Sequence, residues 1–398
     1  MTSTPEYLEG AVDPDRGFLP VPDPVSQLPA DYAAWDDLGH NLPKLLATQQ
    51  VRAEVSKLPV IDPAGLPHSA LPRAMLVLSF LGHAYIFQSW QAEAASSLPA
   101  AIAVPWVGVA RRLGRPPILS YASYALDNWR RIDPLGPIAL GNLALLQNFL
   151  GGLDEEWFVT VHVQIEAQAA PLLRALRRGV KSRDARDARH ANQLRDALET
   201  IHTALEAMHR TLLRMPENCD PYIYYHRVRP FIHGWQQHPV VYEGVPEHLG
   251  TPQTYYGETG AQSTIVPCLD ATLGIRHQLD ELRTYLQEMR KYMPRGHVAF
   301  LSGLERAGSV RDFVLVSGDK DLRQRYDACV EVLEAFRSTH LDYAARYIQK
   351  QAQVGVNSTE YGTGGTPFMR YLKKHRNETS EQRLNGAHPE RQAPQPPT

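Results

Sequence analysis

The chain has 398 residues, 43% of them hydrophobic, which is enough to bury a large core and long enough for two domains. Its formal net charge is -2, so there is no basic excess to neutralise phosphates, which argues against nucleic acid as a partner. Three cysteines, Cys219, Cys268 and Cys329, lack zinc or CxxC spacing and read as reduced, buried thiols of a cytoplasmic protein.

Residues 1–30, rich in Pro, Asp and Gly, are expected to form an extended arm without its own core. The start MTSTPEYLEG carries acid where a secretory signal needs base and an apolar run. Helices are expected from Asp36 to Ala53 and from Ser69 to Trp90. The most apolar stretch, Ala74 to Phe87, is too short and too interrupted to cross a bilayer, so no membrane partner is expected. Pro105 and the Pro116-Pro117 pair are expected to interrupt helix. They mark the boundary between a small N-terminal domain (31–115) and a large C-terminal one (116–374).

Beyond Pro117, helical periodicity dominates. Ile138 to Leu150 reads as a buried helix. His190 to Met215 places Leu194, Leu198, Ile201, Leu205, Met208 and Leu212 on one stripe. Leu269 to Met293 and Leu322 to Lys350 are similar. Strand-like runs are few, so the fold class is mainly α: a large all-helical domain with a smaller, mostly helical N-terminal one. One segment resists. In WFVTVHVQI (157–165), Val159, Val161, Val163 and Ile165 alternate with polar residues, the period of a strand, whereas a helix would put Phe158, His162 and Ile165 on one face. The polar, Pro-rich tail 375–398 is expected to be disordered.

Four features can carry chemistry. His340 lies four residues from both Phe336 and Ala344, on the apolar stripe of its helix. A buried imidazole needs partners for its nitrogens. Iron is one such partner; a core histidine bonded to backbone or carboxylate is the more frequent meaning of that spacing. The loop Glu360 to Thr366 holds three glycines in four residues. It fits neither a phosphate loop nor a dinucleotide fingerprint, and reads as a lid or an ordinary connector. Tyr222 to Trp235 packs aromatics with two histidines and two arginines, where a buried arginine would need an anion such as a substrate carboxylate, and a surface arginine would meet acids. Tyr256 to Thr264 is a second small-residue loop, most simply a turn. No HExxH or GxSxG occurs.

Several of these segments together resemble the indoleamine 2,3-dioxygenase family. They include His40-Asn-Leu-Pro-Lys-Leu-Leu46, Pro116-Pro-Ile-Leu-Ser-Tyr-Ala122, Asn128-Trp129, Arg229-Pro-Phe-Ile-His-Gly-Trp235, Arg290-Lys-Tyr-Met-Pro294, Phe336-Arg-Ser-Thr-His340 and Gly362-Thr-Gly-Gly-Thr366, in family order over about residues 36–374. The resemblance implies haem b as cofactor and O2 as co-substrate. It also implies an external reductant, an indole amino acid substrate and a monomer. It makes His340 the haem iron ligand, with Arg337 and Asp270 in the haem's outer shell. Arg229 would hold the substrate carboxylate, and Thr363 and Gly364 would belong to the lid. Tyr121, Tyr124, Phe158, Tyr224 and Ile232 would wall the indole pocket, with Thr259 and Gly260 in the adjoining loop. It also implies that 157–165 is helical, against its alternation.

The same comparison shows departures. His162 stands where the familiar animal enzymes have serine, which makes it a candidate catalytic residue facing the indole N–H. Glu258 and Thr259 occupy a loop that is usually smaller and more neutral, and Tyr124 and Tyr224 add hydroxyls. Three readings follow: cleavage of L-tryptophan to N-formylkynurenine, a haem enzyme of secondary metabolism acting on a modified tryptophan, or a non-catalytic haem sensor.

Overall fold

A computed structural model describes residues 12–88, 93–179, 188–278, 280–354, 363 and 368–384. The architecture is mainly α. The first helices are α1 (Ala33–His40), α2 (Leu42–Ala47), α3 (Val51–Val55), α4 (Leu71–Ile86) and α5 (Ala100–Leu113). They are followed by α6 (Leu153–Gln168), α7 (Ala170–Gly179), α8 (Ala188–Leu212), the single turn α9 (Pro221–Ile223) and α10 (Ile265–Leu273). The last are α11 (Glu281–Met289), α12 (Arg295–Ala307), α13 (Val310–Ser317), α14 (Lys320–Tyr347) and α15 (Phe368–Ser380). Strand is confined to two short pairs: β1 (Ser97–Leu98) parallel to β4 (Val241–Tyr242), and β2 (Arg130–Arg131) antiparallel to β3 (Leu143–Ala144). Among the described residues no helix is long and apolar enough to cross a membrane.

The long helices follow the sequence pattern. In α8 the stripe Leu194, Leu198, Ile201, Leu205, Met208 and Leu212 is buried. Asp319 caps α14, its carboxylate accepting from the N–H groups of Asp321 and Leu322 at 2.9 and 3.1 Å. The inward face of α14 then carries Leu322, Tyr326, Cys329, Val330, Leu333 and Arg337 against α8 and α15. Segment 157–165 is helical, inside α6. Val159, Val161, Val163 and Ile165 are all buried there, so apolar residues surround the helix and erase its amphipathic signature.

Several local expectations are corrected. The stretch 36–53 is three short helices rather than one. Pro105 lies inside α5, and the helix ends instead at Gly114, whose φ of +71° gives a left-handed cap. Residues 138–150 are not helical. Side chains meet that backbone in place of a helical ladder: Gln164 accepts from the Leu140 N–H at 2.6 Å, and Asn128 from that of Gln147 at 2.8 Å. Glu155 accepts from the N–H of Phe149 at 2.7 Å. Gly274, at φ +70°, divides the expected 269–293 helix into α10 and α11. The N-terminal arm does reach the core through Phe18 and Leu19. Within the tail expected to be disordered, residues 375–384 are ordered, because α15 packs on α14 and buries Glu378 and Thr379.

One buried histidine joins early and late parts of the chain. The Nε2 of His83, on α4, accepts from the Leu119 N–H at 3.1 Å, so its Nδ1 carries the proton donated to the Phe231 carbonyl at 2.7 Å. Burial pushes its pKa down to about 3, so it stays neutral and holds this junction in one tautomer.

Candidate active site

A cavity of about 280 Å³ lies between α14, α6 and the 258–263 loop. Helix α14 presents Phe336, Arg337, His340, Ala344 and Tyr347 to it, residues that recur at helical spacing on one face. Opposite, α6 presents Phe158 and His162, one turn apart. Leu212, Met215, Val266, Pro267 and Leu282 make much of the remaining wall apolar.

His340 is an exposed residue, and its exposure is toward this cavity. It makes no hydrogen bond among the described residues. Enough protein surrounds the ring that burial lowers its pKa to about 4, with a smaller contribution from His162. A neutral imidazole aimed into a largely apolar space has the lone pair that a metal ligand needs. His162 is fixed differently. Its Nδ1 lies 2.7 Å from the Phe158 carbonyl, an atom that can only accept, so Nδ1 carries the proton and Nε2 is an acceptor. Burial lowers its pKa as well. Its ring meets Phe158 at 4.8 Å and the edge of Tyr121 at 6.1 Å.

Beside His340 stands a network of paired charges. Arg337 grips both oxygens of Asp270 at 2.7 and 2.8 Å and donates to Thr379. His277 bridges two carboxylates, with Nε2 3.0 Å from Asp270 and Nδ1 2.6 Å from Glu378. Burial opposes the charge on His277, yet Asp270 and Glu378 hold its pKa above the usual imidazole range. Burial likewise opposes ionisation of Asp270, but Arg337 and His277 bring its pKa down to about 2. His375, also on the cavity wall, has its ring centroid 4.5 Å from that of His277, tilted by 43°, and is kept neutral by burial and by the Arg337 charge. His277, His375 and Glu378 bring potential metal-ligating atoms within 4.8 Å of one another. Because both nitrogens of His277 are already engaged by carboxylates, the cluster is an ion-pair network first.

The far wall presents Phe158 and Tyr224 to the cavity, with Tyr121 and Tyr124 buried beside it. Tyr224 and Tyr124 each sit in a π-helical turn, 224–228 and 122–126, and both pack on Phe158, with centroids at 4.7 and 6.3 Å. The Tyr121 hydroxyl donates to Glu166 at 2.9 Å, and Ser263 donates to the same oxygen at 2.9 Å. Burial raises the Glu166 pKa to about 7. Gln262 ties the two sides, accepting from the Tyr121 N–H and donating to the Gly257 carbonyl, each at 2.9 Å. Two backbones cross here without room for a side chain: a Cβ on Gly234 would lie 2.2 Å from the Gly257 nitrogen, and one on Gly257 would lie 2.3 Å from the Gly234 nitrogen. Thr363 spans this crossing. Its hydroxyl donates to the Glu258 carbonyl at 2.6 Å, and its own carbonyl accepts from Gly234 at 3.4 Å.

Of the residues singled out from sequence, Phe158, His162, Tyr224, Thr259, Gly260, Asp270, Arg337, His340 and Thr363 line the cavity. Tyr121, Tyr124, Ile232 and Arg229 are buried but do not line it. Arg229 lies 5.3 Å over the Tyr225 ring, and its charge acts on the hydroxyl of Tyr224, which does line the cavity. Burial lowers the Arg229 pKa. Gly364 lies outside the described residues. Sequence reasoning missed Glu166, His277, His375 and Glu378, which no local spacing connects to the site.

A mainly helical frame around a partly apolar cavity, with accessible imidazole nitrogens on two helices, defines the class as a small-molecule enzyme site. A family profile described as Indoleamine 2,3-dioxygenase matches residues 7–382. The human protein named Indoleamine 2,3-dioxygenase 2 is 34% identical over 96% of this chain and 97% of its own length. The Saccharomyces cerevisiae Indoleamine 2,3-dioxygenase is 30% identical over 95% and 94%. A Fusarium equiseti protein named 6-hydroxytryptophan 2,3-dioxygenase is 30% identical over 92% and 95%. The chain belongs to the indoleamine 2,3-dioxygenase family, and it is an oxidoreductase of the dioxygenase type.

Proposed function

We propose that the protein binds haem b through His340 and, with O2 as co-substrate and an external reductant, opens the C2–C3 bond of L-tryptophan or a related indole amino acid to give an N-formylkynurenine-type product. The observation that carries this reading is the neutral His340 imidazole, free of hydrogen bonds among the described residues and directed into the cavity. The residues present fit a haem: an available nitrogen ligand, apolar walls, and Arg337 held in place on the wall by its pairing with Asp270. Bound there, haem iron supplies the activation of dioxygen that no protein side chain provides.

The chain's own residues bind and orient. Phe158 and Tyr224 offer ring faces for an indole. The Nε2 of His162 accepts from the indole N–H, an assignment that follows from its tautomer. Arg229 supplies the cation for the substrate carboxylate, since a buried guanidinium beside the wall is stabilised by an incoming anion. Thr363, bonded to the Glu258 carbonyl, covers part of the cavity wall and helps exclude water there. The test is to reduce haem-supplemented protein without air, add tryptophan, then admit oxygen and follow formylkynurenine absorbance. A Soret band with product supports the proposal. A Soret band without product points to a sensor, and a colourless protein removes His340 as ligand.

A second substrate reading has a specific observation behind it: the hydroxyls and the carboxyl on and beside the far wall suit a modified tryptophan.

A further inference from the structure

Glu258 is the unexplained group of the site. It is 6% exposed, and the little surface it has opens into the cavity. Its carboxyl makes no hydrogen bond among the described residues. Its backbone is fixed: the N–H bonds to Ile232 at 3.2 Å and the carbonyl accepts from Thr363. The side chain is therefore held in place with nothing to hold, and a buried carboxyl without a partner is destabilising. Structure alone gives no reason for this residue, whereas a ligand with a hydrogen-bond donor does.

The surroundings indicate which part of a ligand it meets. The Glu258 carboxyl raises the pKa of Tyr121, Tyr124 and Tyr224, so it stands within electrostatic reach of three hydroxyls at the aromatic end. Burial pushes its own pKa up to about 8, and no cation, Arg229 included, draws it back. Phe158 and Tyr224, whose ring faces suit an indole, line the same cavity as Glu258, and Phe158 also packs on Tyr124.

We propose that Glu258 is a specificity-determining anchor for a hydrogen-bond donor carried on the substrate's aromatic ring, a hydroxyl or an amine on an indole. The inference rests on the indole-binding reading above and narrows it to ring-substituted substrates. An unsubstituted indole leaves the carboxyl unpaired, and a site built to hydrogen-bond a substituent discriminates against the analogue that lacks it.

The test is equilibrium titration of the ferric haem protein, read by the Soret shift without oxygen. The ligands are L-tryptophan, 5-hydroxy- and 6-hydroxytryptophan, and indole-3-propionate. At least one hydroxytryptophan should bind roughly tenfold or more tightly than tryptophan. In Glu258→Ala that ratio should fall to about one, with Glu258→Gln between. A ratio unchanged in Glu258→Ala overturns the proposal. So does a variant that instead loses its preference for tryptophan over indole-3-propionate, because the carboxyl then serves the α-ammonium. A parent without a Soret band, or blind to all four ligands, refutes the underlying function reading and is told apart from these outcomes by the parent alone. Circular dichroism of both variants confirms that the ratio is measured on folded protein.

Discussion

The two ends of the cavity follow opposite electrostatic plans. On the α14–α15 side charges are matched: Arg337 with Asp270, and His277 between Asp270 and Glu378. On and behind the far wall, Glu258, Glu166 and Glu155 are buried carboxyls without cations at hydrogen-bonding distance, and burial lifts their pKa values to about 8, 7 and 7; of the three only Glu258 lines the cavity. Paired ions of the first kind fix a framework. Buried groups of the second kind are tolerated where a ligand completes them, and at Glu258 no protein partner does so. The comparison teaches that a high density of charge beside a cavity is a weaker sign of substrate recognition than a single uncompensated group facing into it.

The sharpest way to break the comparison is at its junction. His340→Ala should purify with less than about a tenth of the parent haem and no measurable turnover, checked by pyridine haemochrome and product formation. Full haem loading in that variant removes the junction altogether. Arg229→Ala should retain haem and lose about a hundredfold in kcat/KM, the scale of a lost charge-assisted pair, measured by tryptophan-dependent rates. Unchanged rates at low tryptophan would take Arg229 out of the carboxylate clamp.

The smallest effect separates the two ends by pH. Asp270 is depressed to about 2, so its contribution is complete above the unfolded value near 3.8 and disappears as pH falls through 2. Glu258, Glu166 and Glu155 are raised from 4.5, so the folded chain keeps protons that the unfolded chain has released. Stability should then fall as pH rises from 4.5 to about 8 in haem-free protein. Urea unfolding across this range checks the slope, and Glu258→Gln should flatten it. A profile that rises over the same range would show that these carboxyls find cations in solution.

Much of the frame was legible because it is periodic. α8 and α14 carry apolar stripes that any helical count finds, and His340 falls on the second. Failures arose where tertiary contacts replaced local rules. Segment 138–150 has an apolar period but bonds its backbone to Asn128, Glu155 and Gln164, residues up to 24 positions away. Helix α6 alternates like a strand because it is packed on all sides, and only the family resemblance made its helix readable. Pro105 costs α5 a hydrogen bond to the Ala101 carbonyl without ending it. Within the site, local context singled out His340 and Arg229 as candidates, and only the family resemblance gave them roles and added Arg337. Glu166, His277, His375 and Glu378 were not legible, since most of their meaning lies in pairings made across 45 to 101 positions, the Asp270–His277 pair apart.

The crossing of Gly234 and Gly257 bears on how such a site diversifies. Because neither backbone has space for a methyl group, the two loops beside the cavity cannot slide past each other or accept bulk where they touch. New substrate preferences must therefore arise by exchanging side chains on immobile posts, Glu258 and Tyr224 foremost, while the posts stay put. Redesign of this pocket is a problem of discrete substitutions, and grafting loops from a relative would succeed only if the glycine pair travels intact.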